Sequence, residues 1–238
     1  MAQTKQVNLI ILILLLFINI NCKKKENNIT KSKSTVKETL NQKFTVKSKI
    51  LTIEEFDTVL NSGIIDNINY IGNLILCYEF SDKSGEYYLI LTQKDNQKSI
   101  YAYCAKKDVL ETELDWNIND SIMQTEFSEE YEINFLKKFI TVSDIDNDGL
   151  VDVILTYMAQ SKDDYDRLKI IIKHGNSTIK IIHYGASLDD ERETKIDKSF
   201  FSLPKSFQEK VYIDLKKINT EILGINSDVL DKVGSNLN

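Results

Sequence analysis

The chain has one proline, Pro204, and eight glycines in 238 residues. With so few breakers it offers no proline-, glycine- or serine-rich seam to divide it into domains, and no glycine loop to cradle a phosphate. Histidine is equally scarce: His174 and His183 are the only two, and neither sits in an HExxH pattern. The three cysteines form no CxxC, and no serine stands in a GxSxG elbow. The recognisable catalytic motifs are therefore missing. A glycosidase-like carboxylate pair leaves no linear signature, because its two members meet only in space. The aspartate motif described below occurs once, which argues against a propeller or a solenoid built on it.

Residues 1–22, MAQTKQVNLIILILLLFININC, carry one lysine, an apolar run from Leu9 to Ile18 and a closing cysteine. The run is too short to span a bilayer comfortably and has a charged start, so it reads as an export signal. A cysteine in this place resembles the acylated first residue of bacterial lipoproteins. That resemblance implies a signal peptide over 1–21, lipidation at Cys22, and attachment to the cell envelope, with the outer membrane of a Gram-negative bacterium as the expected location. Asn21 stands where that class usually has a small residue, and relaxed boxes of this kind resemble those of the Bacteroidota.

Residues 23–50 hold nine lysines against two glutamates and no clear apolar period. The segment reads as a solvated tether running from Cys22 to residue 50. Residues 51–238 then carry 20 basic against 34 acidic side chains, a net of −14. A basic leash would thus join an acidic domain to a membrane, and neither half suggests a nucleic-acid partner.

The 188 residues of 51–238 suffice for one core and read as a single α+β domain, mainly antiparallel sheet with a C-terminal amphipathic helix packed on it. Leu51–Leu60 has helical spacing and ends at Ser62-Gly63. Runs at 73–80, 86–93 and 98–106, separated by short polar breaks, read as a three-stranded meander. Cys77 and Cys104 fall in its first and third strands. Two strand spacings, roughly 9.5 Å, exceed disulfide reach, so both read as buried free thiols. Trp116, the only tryptophan, reads as a plug in a polar connection spanning 108–127. Residues 131–139 fit a strand or a short helix. Residues 168–172 and 178–184 read as a hairpin around His174-Gly175-Asn176-Ser177, with its two histidines too far apart to share a metal. Residues 187–196 read as a charged loop, and the last dozen as a fraying tail. After Pro204, the recurrence of Phe207, Val211, Leu215 and Ile218 marks one apolar helical stripe.

The most specific chemistry lies in Thr141–Tyr157, TVSDIDNDGLVDVILTY. Asp144, Asp146 and Asp148 alternate, Gly149 follows, and Asp152 completes the set. Carboxylates so crowded repel one another unless a cation sits among them, and the glycine permits the turn that wraps such an ion. Counted as an EF-hand, the loop offers Leu150 through its carbonyl, but Leu155 occupies the twelfth position where a bidentate glutamate belongs. The continuation is strand-like. The segment instead resembles the DxDxDGxxD calcium loops that precede strands in FG-GAP-type repeats, which implies Asp144, Asp146, Asp148 and Asp152 as side-chain ligands and a structural Ca2+. A second acidic cluster, Asp163, Asp164 and Asp166, either closes over the ion site or forms a solvated loop, and its lack of ligand spacing favours the loop.

From Ser99 to about Lys217, the succession of YAY, WNIND, the aspartate loop, LKIIIKHGNSTIKI and SFFSLPKSFQEKV resembles an uncharacterised family of Bacteroidota lipoproteins, some labelled for surface polysaccharide biosynthesis. Three functions follow as expectations. The first is a non-enzymatic, calcium-stabilised envelope lipoprotein that binds or assembles something linked to surface polysaccharide. The second is an envelope-glycan enzyme using a carboxylate pair, and the third an immunity lipoprotein against an envelope toxin. Partners expected are the membrane, through Cys22, and a surface glycan or envelope protein.

Overall fold

Two antiparallel sheets dominate the computed structural model, which describes residues 45–221 except 64, 67, 108–111, 125–128, 163–165 and 186–192, together with 230, 233 and 234. The signal segment, Cys22 and the tether up to residue 44 lie outside the described residues, as do Asp163, Asp164 and most of the final tail.

The first sheet has the order β1-β2-β3-β4-β5, built from Lys47–Ile50, Asn73–Asp82, Gly85–Gln93, Ser99–Lys107 and Thr112–Ser121. The expected meander is its centre. The expectations fail on both flanks. The last residues assigned to the tether, Lys47–Ile50, pair with Tyr78–Ser81, so the folded domain begins before residue 51. The polar connection around Trp116 is a ten-residue strand, β5, held to β4 with a register shift at Cys104/Ala105. Its alternation was masked because its outward face is polar and solvated while Trp116 and Ile118 turn inward.

The second sheet runs β11-β10-β9-β8-β6, from Glu193–Ile196, Ser177–Tyr184, Arg167–His174, Asp152–Ser161 and Glu130–Phe135, with β7 (Thr141–Ser143) also on β8. Residues 131–139 resolve into the strand β6 and a 3-10 turn at Lys137–Phe139. β9 and β10 form the expected hairpin with Gly175-Asn176 at its turn. The charged loop read over 187–196 ends as a strand, since Glu193–Ile196 pairs with β10.

Period-two alternation explains how the layers stack. Inward residues of the first sheet (Phe80, Leu89, Leu91, Ala102) meet inward residues of the second (Ile133, Val153, Leu155, Ile171) in one core. The outer face of the first sheet packs Cys77, Ile90 and Tyr103 beneath helix α1 (Ile53–Asn61), through Phe56. Thr52 caps α1 in a reciprocal box with Glu55. The outer face of the second sheet packs Ile154, Ile170 and Ile172 beneath helix α2 (Lys205–Glu221). Its stripe Phe207, Val211, Leu215 and Ile218 is fully buried, as the spacing predicts. Val233 joins this core with no exposure. The architecture is helix, sheet, sheet, helix.

Cys77 and Cys104 face different cores, on opposite sides of the first sheet, and both are free. Burial pushes the Cys77 thiol up to about 12 and raises Cys104 as well. Iodoacetamide at neutral pH should leave both unmodified in the native protein and label both after denaturation; labelling of either in the native state by peptide mapping would contradict this packing.

Gly72 precedes β2 with φ +91°, and a β-carbon there would collide with the carbonyl of Gln93. Gly72→Ala should cost more than about 1 kcal/mol. Thermal melting checks it, and an unchanged Tm would show that the strand can move aside.

Candidate metal centre

The aspartate loop connects β7 to β8, two strands paired directly with one another through Ser143 and Asp152. It must reverse the chain tightly, and Asn147 (φ +63°) and Gly149 (φ +87°) take the left-handed conformation that this needs. The carboxylates close the loop on itself. Asp144 accepts from the backbone N–H of Asp148 at 3.0 Å and of Gly149 at 3.0 Å. Asp146 accepts from the Asp148 N–H at 3.2 Å, and Asp148 accepts from the Leu150 N–H at 2.7 Å. Asp152 reaches back to the Ile145 N–H at 2.8 Å.

Carboxylate oxygens of Asp144, Asp146 and Asp152 converge within 4.8 Å of one another. That is the spacing at which one cation could bridge them. Three of the four aspartates expected from sequence therefore come together. Asp148 is not among the three; its carboxylate lies 3.9 Å from the Lys83 ammonium. Leu150 lies in the loop with its N–H donated to Asp148.

The first sheet grips this loop. Lys83, in the β2–β3 turn, donates its N–H to the Gly149 carbonyl at 3.0 Å and its ammonium to the Asp148 carbonyl at 2.6 Å. Buried Asp82 accepts from the Val151 N–H at 2.9 Å and from the Ser84 N–H at 2.7 Å. The loop is thus pinned at its exit by a turn about 70 residues away in sequence, across the sandwich.

His174 also belongs to the site. Its Nδ1 lies 3.0 Å from Asp152 and its Nε2 3.9 Å from Asp146. The ring packs edge-on against Phe207 of α2 at 4.9 Å. The β8–β9 register that pairs Val153 with Lys173 sets His174 across from Asp152, a long-range alignment that the hairpin sequence alone does not show. His183, opposite Leu168 near the other end of the hairpin, takes no part and bonds Thr194 at 2.7 Å.

Asp152 is the buried member, its side chain 1% exposed. Burial raises its carboxyl to about 6, against hydrogen bonds from His174 and Ile145 that favour the ionised form. A loop with its carboxylates so placed gains most from a bound cation, which offsets both desolvation and mutual repulsion.

Asp166 does not close over this centre. It accepts from the Ser161 N–H at 2.8 Å, at the far end of β8. Nine residues of strand, roughly 30 Å, separate it from Asp152.

A second polar cluster, invisible in the sequence, lies at that far end. Arg167, 1% exposed, donates to Glu130 at 2.7 and 2.8 Å, to Asp120 at 2.8 Å and to the Ser121 carbonyl at 2.9 Å. Lys169 joins through Asp120 at 2.7 Å. Two cations and two carboxylates balance, and they join β5 of the first sheet to β6 and β9 of the second. Burial alone would lower the Arg167 guanidinium, but Glu130 and Asp120 hold it above its ordinary value. The buried Tyr157 side chain also bonds Asp120, and the cluster acts as a clamp between the two sheets.

The chain matches no protein-family model, no curated protein and no solved structure.

Proposed function

We propose that this is a non-enzymatic, calcium-stabilised cell-envelope lipoprotein, tethered at Cys22, that serves as a binding or assembly component linked to surface polysaccharide. The observation that carries the reading is the convergence of Asp144, Asp146 and Asp152 in a loop that the opposite sheet grips through Asp82 and Lys83. An ion there would fix the β7–β8 turn and the junction of the two sheets at once, a structural role. Calcium suits a loop of several carboxylates, whereas magnesium demands stricter octahedral geometry. With an ion in place, His174 would orient Asp152 through Nδ1, as outer partners of a metal ligand do.

The envelope setting rests on the export signal and on the cysteine that closes it. Labelled palmitate should be incorporated by the wild-type chain and lost in Cys22→Ala; labelling that persists in that variant would contradict the anchor. The binding role is read on glycan arrays, where retention of a surface polysaccharide without turnover is expected. Hydrolysis lost on substitution of a single aspartate or glutamate would replace this reading with an enzymatic one.

A further inference from the structure

The two sheets are not the same width where they meet. β5 is the edge strand of the first sheet and lies over β9, as Trp116 against Lys173 and Asp120 against Lys169 show. β10 and β11 extend past that edge as a ledge. Two strand spacings make it roughly 10 Å wide. A cleft of about 430 Å³ occupies the corner, walled by Asn117, Ile118 and Asn119 and floored by Ile171, Thr178 and Lys180.

The wall presents backbone. Ile122 donates its N–H to the Lys98 carbonyl, and the same register pairs Asp120 with Ile100 and Ile118 with Ala102. Alternation then turns the N–H and C=O groups of Asn117 and Asn119 away from β4, along the open edge. No strand pairs with that edge among the described residues. Ser121, the next outward residue, is already engaged by Arg167 and Asp120. The floor presents positive charge. Lys180 has no carboxylate partner for its ammonium among the described residues, and Lys173 donates to Thr178 at 2.9 Å. Along the same face of β10, Ile182 and Tyr184 follow Lys180 at two-residue steps.

We infer that this corner is a docking site for an extended acidic peptide segment of a partner protein, which adds as a sixth strand beside β5 with a carboxylate over Lys180 and an apolar side chain over Ile182. Strand addition satisfies the free backbone groups of Asn117 and Asn119, and the ledge supplies side-chain selection. Other occupants fit less well. A second copy paired edge to edge about a two-fold axis would bring its own ledge into the same layer. The lysine-rich tether would set ammonium against ammonium. A sugar ring would have to displace a lysine from either aromatic ring, since the Lys173 ammonium covers Trp116 and the Lys195 ammonium covers Tyr184, each at 5.2 Å. The inference gives the assembly role proposed above a surface and rests on it for the envelope setting, but not on calcium.

The test uses the full chain and a fluorescent synthetic peptide about ten residues long to match β5, with glutamate and valine taking turns at every second position and threonine between them, so that both fall on one face, followed by anisotropy with calcium and with chelator. Saturable binding in both conditions is expected. Asn119→Pro removes an outward N–H without touching the β4 ladder, and Lys180→Glu reverses the floor charge; each should weaken binding by about tenfold or more. Lys180 is exposed, so its variant stays readable even if the proline lowers Tm. Absence of saturable binding, or binding indifferent to both substitutions, overturns the proposal. Polygalacturonate binding that survives Asn119→Pro but not Lys180→Glu would assign the corner to an acidic glycan instead.

Discussion

Replacing Arg167 by alanine should destabilise the protein by about 3–5 kcal/mol, the largest effect expected of any single surface-distant substitution here. The guanidinium is almost wholly buried and serves four acceptor atoms on β5 and β6. Its removal leaves Glu130, itself buried, with no cation and Asp120 with Lys169 as its remaining cation, so that backbone N–H groups of Met123 and Ser121 must carry more of the two charges. Much of the cost is the penalty of stranded carboxylates and not the worth of the bonds. A triple variant, Arg167→Met with Glu130→Gln and Asp120→Asn, should therefore recover most of the loss. Urea denaturation of both variants checks this; a single variant within about 1 kcal/mol of wild type would mean that water reaches the cluster. Asp120 adds a pH signature. Burial would raise its carboxyl, but Lys169 and Arg167 outweigh burial and hold it below its ordinary 3.8. Its contribution is thus present above that value and fades as pH falls through the lowered one.

The second large effect is the stabilisation by calcium. At a free concentration one hundred times the dissociation constant, a ligand bound only by the folded state adds about 2.7 kcal/mol. For a domain of this size that corresponds to a rise of about 5–10 °C in Tm. Chelator should reverse it, and magnesium should produce a smaller shift. Because Gly149 and Asp148 bond Lys83, the ion should also protect the β2–β3 turn, so amide exchange should slow at Lys83 and Val151 together. An unchanged Tm with both ions would leave the loop as a self-bonded acidic turn.

The aspartate loop was legible because its chemistry is local: four carboxylates, a glycine and the strand that follows lie within one short run. The helical stripe of α2 was legible for the same reason, its period being contained in twelve residues. What sequence could not show was long-range register. His174 joined the aspartates only once β9 was known to lie against β8 in one particular alignment, and the sequence offered only His183 to measure it against. A hairpin arm next to the loop's strand was the available signal. Asp82 and Lys83 look like ordinary turn residues, and Arg167 looks like one more charge in an acidic stretch. Strand β1 was missed because all four of its residues are exposed, and β5 because most of its residues are polar, which in sequence resembles a tether and a loop. Asp148 fits the motif by position, yet its carboxylate accepts from the Leu150 N–H and lies 3.9 Å from the Lys83 ammonium instead of joining the other three.

Isothermal titration of calcium into the wild-type protein and into Asp146→Ala addresses the central claim most directly. Asp146 is one of the three converging carboxylates and the least engaged in holding the fold, with a single backbone bond at 3.2 Å. The wild type should bind calcium at one site, and the variant should give no binding heat while melting within a few degrees of the ion-free wild type. No heat in the wild type, or equal heat in the variant, would contradict a calcium centre at Asp144, Asp146 and Asp152.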